Sequence, residues 1–470
     1  MQALRHWSVR HARGLRRLYR ACERFAPVFA PSLRLLGERR VGRVLAPIER
    51  AAKGLFFDCK MCGQCALSQT GMTCPTNCAK EMRNGPCGGV RSGGACEVKP
   101  EMRCVWVEAG EGRRRIAGRM PEAVTTVEPI DRRRQGQSTW VEVIAGRSSG
   151  ELASAAFAAA PTPRTTYGFE QACRSGRFLV TAEVEPPDSP DPKRLLQRAA
   201  HFAGLTDALN ITDGAGGNCH MSSAAAAAVL AADGLTPVCQ LVCRDRNRIA
   251  VQGDILGAAA LGVRNFLCLT GDDVSQGDHP GAKPVFDLDA VSLLRIARTM
   301  RDEGRYASGR RLEVAPNLFL GATANPFAPS HADRVLNLQQ KVDAGAQFIQ
   351  TQFCFDVALL ESFMREVRTR ELHKRAVIIV GVGALKSART LARMAEKVPG
   401  VHVPPPVLER IARAADEARE AKAVLVETMR AISQIEGVGG VHLMGHRNET
   451  MLAEAIVEAG LQPAAAGIPA

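Results

Sequence analysis

Two groups of residues in this chain have the types and spacing to do chemistry. The first lies in Arg177–Pro187, RFLVTAEVEPP, where an apolar run (Phe178, Leu179, Val180) reads as a buried strand ending on two carboxylates and a Pro-Pro stop. Residues two apart on a strand share a face, so Glu183 and Glu185 point the same way at its C-terminal end. In a parallel barrel, that end is the active mouth. The plainer alternative is a pair of solvated loop acids. The second group is a run of eight cysteines between Cys59 and Cys104, out of fifteen in the chain. Cys59, Cys62 and Cys65, at C-x₂-C-x₂-C, are followed by Cys74-Pro, the ferredoxin-like signature for thiolates around a [4Fe–4S] cluster. Zinc prefers two C-x₂₋₄-C pairs, so this first set is less natural as a zinc site. The wider set, Cys78, Cys87, Cys96 and Cys104, reads as a second cluster or a zinc, with exchange of ligands between the sets also open.

Those residues need elements to hold them. From Phe178 onward the chain repeats strand then helix. Strands are expected at Phe178–Val184, Ala208–Thr212, Pro237–Cys243, Asn265–Thr270, Leu318–Thr323, Phe348–Gln352, Val377–Val382 and Gly440–Met444, with helices between them and a longer helical insert at Pro406–Ile435. This periodicity predicts a (β/α)₈ TIM barrel, preceded by a small Cys-rich metal-binding domain. A doubly wound sheet is the alternative. It is weakened because no G-x-G-x-x-G follows a strand, and because polar residues end almost every strand instead of clustering at one switch point.

Four segments follow: a basic helical arm over 1–56, the cysteine module over 57–146 with a short strand in STWVEV, an Ala/Ser/Pro-rich linker over 147–165, and the barrel over 166–470. The short, Gly- and Pro-punctuated segments of the module bury little core, so bound metal would supply the missing folding energy. In the arm, Leu15, Leu18, Tyr19 and Cys22 fall at helical spacing with Arg16, Arg17, Arg20 and Arg24 beside them. An organelle transit peptide has a similar look. A packing helix leading into the module fits better, since the segment is not free of acids. The formal net charge is +13, but residues 1–56 hold thirteen Arg and Lys against three acids, leaving the rest nearly balanced. That distribution suits an acidic partner or surface and argues against nucleic acid. No run of eighteen apolar residues occurs, so no membrane span is expected, and without a secretory core the expected location is cytoplasmic.

The strand ends carry Glu183 and Glu185, Thr212 and Asp213, Gln240 and Asp245, Asp272 and Asp273, Asn325, Gln352 and His442. Acids and amides around one mouth suit a polar, multi-ring, hydrogen-bonding ligand. No His/His/Asp ligand set and no G-x-S-x-G elbow is present, which disfavours a metallohydrolase or a serine hydrolase. Cys239, Cys243 and Cys268 lie within strands and read as small core residues. Cys219 and His220 lie near the mouth of the second strand, within reach of a substrate there.

TAEVEPP, LNITDGAGG, LCLTGDD, NLQQKVDAGAQFIQTQFCFD and GVGGVHLMGHR, in this order, resemble methylenetetrahydrofolate reductase over roughly Phe178 to Leu461. The Lys341–Asp356 segment is the most specific part. The cysteine module resembles the small iron–sulfur subunit that accompanies this reductase in acetogenic bacteria, here fused in one chain. The resemblance implies reduction of 5,10-methylenetetrahydrofolate to 5-methyltetrahydrofolate, or the reverse, in one-carbon and methionine metabolism. It places the general acid on Glu183, which would protonate the folate amine so that the methylene bridge opens to an iminium and accepts hydride from a reduced flavin. Asp272 matches the pterin-binding aspartate beside the flavin, and Gln352 the folate-binding glutamine. Thr212, Ala215, Gly271, Asn337 and Lys341 match flavin contacts, with Lys341 suited to a phosphate oxygen. Asp213, Gln240 and Asn325 stand at flavin-site positions where the family has tyrosine, histidine and tyrosine, Thr270 stands where it has arginine, and Arg447 is displaced by one position. The resemblance implies FAD as the flavin; these departures remove contacts expected around its dinucleotide half, so FMN is the alternative. The electron donor is an acidic redox partner (ferredoxin or flavoprotein) or NAD(P)H, and the expected assembly is a homo-oligomer. A non-catalytic folate-binding or electron-transfer scaffold is the competing reading; intact Glu183, Asp272, Gln352 and Lys341 favour the enzyme.

Overall fold

A computed structural model describes residues 2–119, 121–146, 168–383 and 386–463. The expected linker at 147–165 lies outside them. The eight strands are β1 (Leu179–Val184), β2 (Ala208–Ile211), β3 (Pro237–Val242), β4 (Asn265–Leu269), β5 (Phe319–Ala324), β6 (Phe348–Phe353), β7 (Val377–Val382) and β8 (Val438–Leu443). They pair in parallel, in sequence order, and β8 closes on β1 through Leu179–Gly440 to Ala182–Leu443. The expected barrel is present, with strand ends within about two residues of those read from periodicity.

The helices before the barrel are α1 (Gln2–Arg10), α2 (Ala12–Phe25), α3 (Ala30–Leu36), α4 (Glu38–Phe57), α5 (Val105–Ala117), α6 (Thr139–Ile144) and α7 (Phe169–Arg174). Those of the barrel are α8 (Lys193–Ala200), α9 (Ser223–Ala232), α10 (Arg248–Ala260), α11 (Ala290–Asp302), α12 (His331–Ala344), α13 (Val357–Thr369), α14 (Ala388–Lys397), α15 (Pro405–Ala412), α16 (Glu417–Ser433) and α17 (Glu449–Ala459). Several start on a side chain that can accept a backbone N–H: Ser222, Asn247, Asp289, Asp356, Ser387 and Asp416 each do so.

Alternation along the strands builds the interior in layers. Residues pointing outward, such as Val180, Ala182, Leu241 and Cys268, are buried under the helices. The lowest inward layer is apolar: Leu179, Ala208, Val238, Leu267, Phe319, Phe348 and Ile379. Phe169 of α7 plugs it from below, with its ring edge-on to Phe319 and Phe348. One layer up the interior turns polar, with Thr181, Asn210, Gln350 and His442 all buried. The Asn210 and Gln350 amides bond each other, and Thr181 Oγ1 lies 2.9 Å from His442 Nδ1. A barrel closed at the bottom and polar toward the top leaves one open end for chemistry.

The segment STWVEV, read as a strand from its alternation, is the helix α6. Glu49 on α4 reverses that expectation by accepting the Thr139 amide at 2.9 Å and the Ser138 hydroxyl at 2.6 Å. It thereby satisfies one of the N–H groups that a helix start leaves without partners. Val141 and Ile144, three apart, then share one face against Ala26 and Leu33. The helix α4 ends at Phe57, next to the expected arm–module boundary at residue 56. No helix of the described residues is long and apolar enough to cross a membrane.

Candidate active site

A cavity of about 630 Å³ opens at the C-terminal ends of the strands, within the range of small-molecule sites. Its floor and walls come from the barrel. One side is supplied by the cysteine module through Lys80, Met82, Asn84 and the run Pro86–Gly89. Long-range contacts fix this docking. Asp289, the buried cap of α11, accepts the backbone amides of Arg83 (2.9 Å) and Asn84 (2.8 Å) and the Asn84 side-chain amide (3.1 Å). Lys80 Nζ donates to the Gly271 carbonyl (2.7 Å) and to Glu97 (2.8 Å). Arg334 Nη1 donates to the Cys87 carbonyl at 2.7 Å. Gly85 lies in the left-handed region (φ 74°), where a Cβ would run into the Asn337 amide.

Of the carboxylates, Glu183 lines the cavity and Glu185 sits just outside it. Burial pushes the Glu183 carboxyl up, to about 7, with Glu185 and then Asp272 adding to the effect and a hydrogen bond with Gln240 opposing it. Glu185 is held by Arg198 Nη1 (3.5 Å), His446 Nδ1 (3.3 Å) and His220 Nε2 (3.7 Å). The Asp272 carboxylate is exposed at the rim and accepts the Gly216 amide at 2.9 Å. Gln352 lines the same cavity, with its Oε1 turned to the Phe353 amide at 3.0 Å. His442 lines it too, and burial pushes its imidazole down to about 3, so it is neutral and works as a hydrogen-bonding group.

The other expected cofactor positions divide into two kinds. Thr212, Ala215, Gly271 and Lys341 line the cavity. The Thr212 hydroxyl is buried with no hydrogen-bond partner, which suits a polar ligand atom there. Lys341 Nζ is fixed by the Thr323 carbonyl at 2.6 Å, and burial, with Arg334 nearby, pushes it down to about 8. Side chains of the second kind also line the cavity, Asp245 excepted, but are engaged with other side chains or backbone. Asp213 pairs with Arg246 at 2.6 Å and accepts the Val242 amide at 2.9 Å. Asn325 Nδ2 donates to the carbonyls of Gly88 (2.7 Å) and Gly400 (2.8 Å). Asn337 leans on Asn84 and Gly85, and Gln240 serves Glu183. Asp245 pairs with Arg244, and Asp273 caps the turn at Ser275. Arg334, Lys80 and Glu97 line the cavity although sequence reasoning passed over them. The NGPCGG run was the available signal, since its glycines permit close backbone approach.

The cysteines also divide. Cys59, Cys62, Cys65 and Cys74 line one small enclosed pocket with Lys53 and Arg83. Hydrogen-bond donors reach its sulfurs: Tyr19 Oη lies 3.3 Å and Lys53 Nζ 3.6 Å from Cys65 Sγ, and Arg83 Nη1 lies 3.7 Å from Cys62 Sγ. A hydrogen bond from Cys59 pushes the Cys74 thiol down. Buried cations and donors aimed at sulfur suit thiolates. Among the described residues, no three His, Cys, Asp or Glu side chains converge closely enough to hold a metal ion. Neither the expected [4Fe–4S] cluster at the first set nor the expected second cluster or zinc at the second therefore has a formed site among those residues. Cys78, Cys87, Cys96 and Cys104 instead pack with Met82, Val90, Met102 and Trp106, and burial pushes Cys78 up to about 12, favouring neutral thiols. Cys87 meets the main cavity, with its Sγ 3.5 Å from Glu97. Cys239, Cys243 and Cys268 are buried in the core, and Cys219 is exposed.

Comparison with known proteins gives a family model described as methylenetetrahydrofolate reductase over residues 168–460, and one described as methylene-tetrahydrofolate reductase C terminal over 39–133. The chain is 28% identical over 193 residues to the probable methylenetetrahydrofolate reductase (NADPH) of Caenorhabditis elegans, covering 40% of this chain and 26% of that protein. It is 25% identical over 236 residues to methylenetetrahydrofolate reductase 2 of Schizosaccharomyces pombe, covering 48% of this chain and 36% of that one. The match thus spans about a quarter to a third of the length of these curated relatives. A Clostridium thermocellum protein described as binding two copies of 5-methyl-5,6,7,8-tetrahydrofolic acid superposes at a TM-score of 0.42 and 15% identity, covering 62% of this chain and 99% of that one.

Proposed function

Because this chain belongs to the methylenetetrahydrofolate reductase family, we propose that it interconverts 5,10-methylenetetrahydrofolate and 5-methyltetrahydrofolate, with Glu183 as the general acid. The observation that carries this reading is a cavity-lining carboxyl held at about 7, among groups suited to a pterin. Protonated Glu183 donates to the folate amine, so that the methylene bridge opens to an iminium on the substrate. The Asp272 carboxylate accepts from pterin N–H groups, and the Gln352 amide bonds the ring edge. The half-buried position of Glu183 in the cavity wall favours its neutral, proton-carrying form near pH 7.

A bound flavin supplies the hydride. The unpartnered Thr212 hydroxyl and the cations Lys341 and Arg334 on one face of α12 suit its polar and phosphate groups. FAD follows from the family; the engagement of Asp213, Asn325 and Asn337 within the protein leaves fewer groups for its adenosine half. We read the four thiols of the first set, spread around one pocket with donors on their sulfurs, as ligands for an iron–sulfur cluster. That leaves a redox partner and NAD(P)H as the two candidate electron sources.

Full-length chain purified without oxygen should show flavin absorption over a broad iron–sulfur shoulder and contain iron. After reduction by dithionite, mixing with 5,10-methylenetetrahydrofolate should reoxidise the flavin band and yield 5-methyltetrahydrofolate. A bound, reduced flavin that the folate leaves unchanged would refute the reductase reading.

A further inference from the structure

Ten of the fifteen large apolar side chains that stand exposed among the described residues lie between Trp7 and Leu55. They are not the mark of a loose arm, because the inner faces of the same helices are well packed. Ala12, Leu15 and Tyr19 of α2 join a cluster with Phe57 and Leu67, and Val41 and Leu45 of α4 join one with Val141 and Ile144. Arg5 pairs with the buried Glu108 at 2.7 Å, and Lys53 with Glu49 at 2.6 Å. The outer faces are apolar as well. Val44 (66% exposed), Ile48 (61%) and Leu55 (53%) follow helical spacing along the outside of α4, and Leu35 of α3 is 86% exposed. Leu18 and Phe25 lie outward on α2. A folded helix does not ordinarily spend leucine and isoleucine on water along a whole face.

Composition narrows what covers this face. Residues 12–56 hold ten Arg and one Lys against Glu23, Glu38 and Glu49, and Ser32 is their only Ser, Thr, Asn or Gln. Arg17, Arg20, Arg24, Arg39, Arg40 and Arg43 are all exposed among the apolar residues. Like charge disfavours a second copy set face to face on it. The directional hydrogen bonds of a protein interface would here have to come almost entirely from arginine donors, with few acceptors beside them. Aliphatic and aromatic residues with arginine, and little else, make the composition of helices that lie in a bilayer interface, where apolar side chains enter the acyl boundary and guanidinium groups meet phosphates.

We infer that the outer face of α2–α4 is a docking surface for an anionic lipid membrane, bound peripherally without a span. The test is co-sedimentation of the full chain with vesicles of phosphatidylcholine alone, or mixed with phosphatidylglycerol. The chain should pellet with the mixed vesicles and not with neutral ones, and high salt should release most of it. The exposed triple variant L35S/V44S/I48S should bind about tenfold more weakly or worse, with unchanged charge and an unchanged circular dichroism spectrum. R39Q/R40Q/R43Q should lose binding by a similar factor. Absence of binding to the anionic vesicles overturns the inference. Equal binding by the serine variant also does so, because charge alone would then explain adsorption. A stable dimer, or tight binding of an acidic ferredoxin used as probe without vesicle binding, would assign the face to protein and overturn it as well.

Discussion

Replacing Glu185 with Gln tests whether a neighbouring charge helps keep the general acid protonated. An ordinary glutamate carboxyl near 4.5 would be protonated in roughly one chain in 300 at pH 7. At about 7, Glu183 carries its proton in about half of them. Burial is the largest cause and survives the substitution; the Glu185 contribution, next in size, is removed. Two residues of extended chain set their Cα atoms about 7 Å apart, which gives the scale of the charge separation. With an effective dielectric constant of roughly 40, between interior and bulk water, their repulsion is about 1.2 kcal/mol, close to one pH unit. A general acid works below its pKa and fails above it, so the alkaline limb of the folate-reduction profile should move down by about one pH unit or less. At pH 8 the rate should then fall by up to about tenfold, with almost no change at pH 5.5. Product formation by the full chain, measured from pH 5.5 to 9 with folate well below its KM so that kcat/KM is followed, reads the free protein directly, and the Arg198 contact to the Glu185 backbone carbonyl (2.9 Å) is untouched. An unmoved limb, an upward shift or a loss equal at every pH would refute the reasoning.

Glu183→Gln should lower folate reduction by about 10²–10⁴ while flavin content stays the same, and equal turnover would remove Glu183 from the mechanism. The same variant should be more stable than the parent at pH 8. A carboxyl raised from 4.5 to about 7 makes the folded state lose stability as pH climbs through that window, by about 3 kcal/mol once fully ionised, and none of this is present at pH 4. Thermal unfolding at both pH values checks the sign. Asp289→Ala strands the Arg83 and Asn84 donors in a buried seam and should cost about 3 kcal/mol or more in urea unfolding, with flavin affinity reduced because one cavity wall loosens. Cys62→Ser should remove iron and, through the same seam, weaken flavin retention. A variant that loses iron but unfolds in two separate transitions, with its flavin fully kept, would show the module and barrel to be independent.

The sequence by itself determined the barrel, because eight apolar runs ending in polar residues and separated by helical segments have few other solutions. It also determined that Glu183 stands at the mouth, since alternation from Leu179 through Thr181 carries the position inward and upward. The buried roles of Cys239, Cys243 and Cys268 followed from the same alternation. Signals of this kind are local, with a period of two or 3.6 residues, and survive in any window of the chain.

What the tertiary structure alone decided lies in contacts between residues far apart in sequence. Nothing near Asn84 announces Asp289, nor does anything near Lys80 announce Gly271; closure of the barrel brings them together and turns a cysteine-rich segment into a cavity wall. The same contacts engage Asn325 and Asn337, which sequence reasoning offered to a flavin. Alternation in STWVEV pointed to a strand, but a glutamate about ninety residues earlier, Glu49, caps it as a helix. The exposed apolar face of α2–α4 became visible only once the opposite faces of those helices were seen to be packed, because periodicity marks an apolar stripe without saying which side of the helix the protein covers.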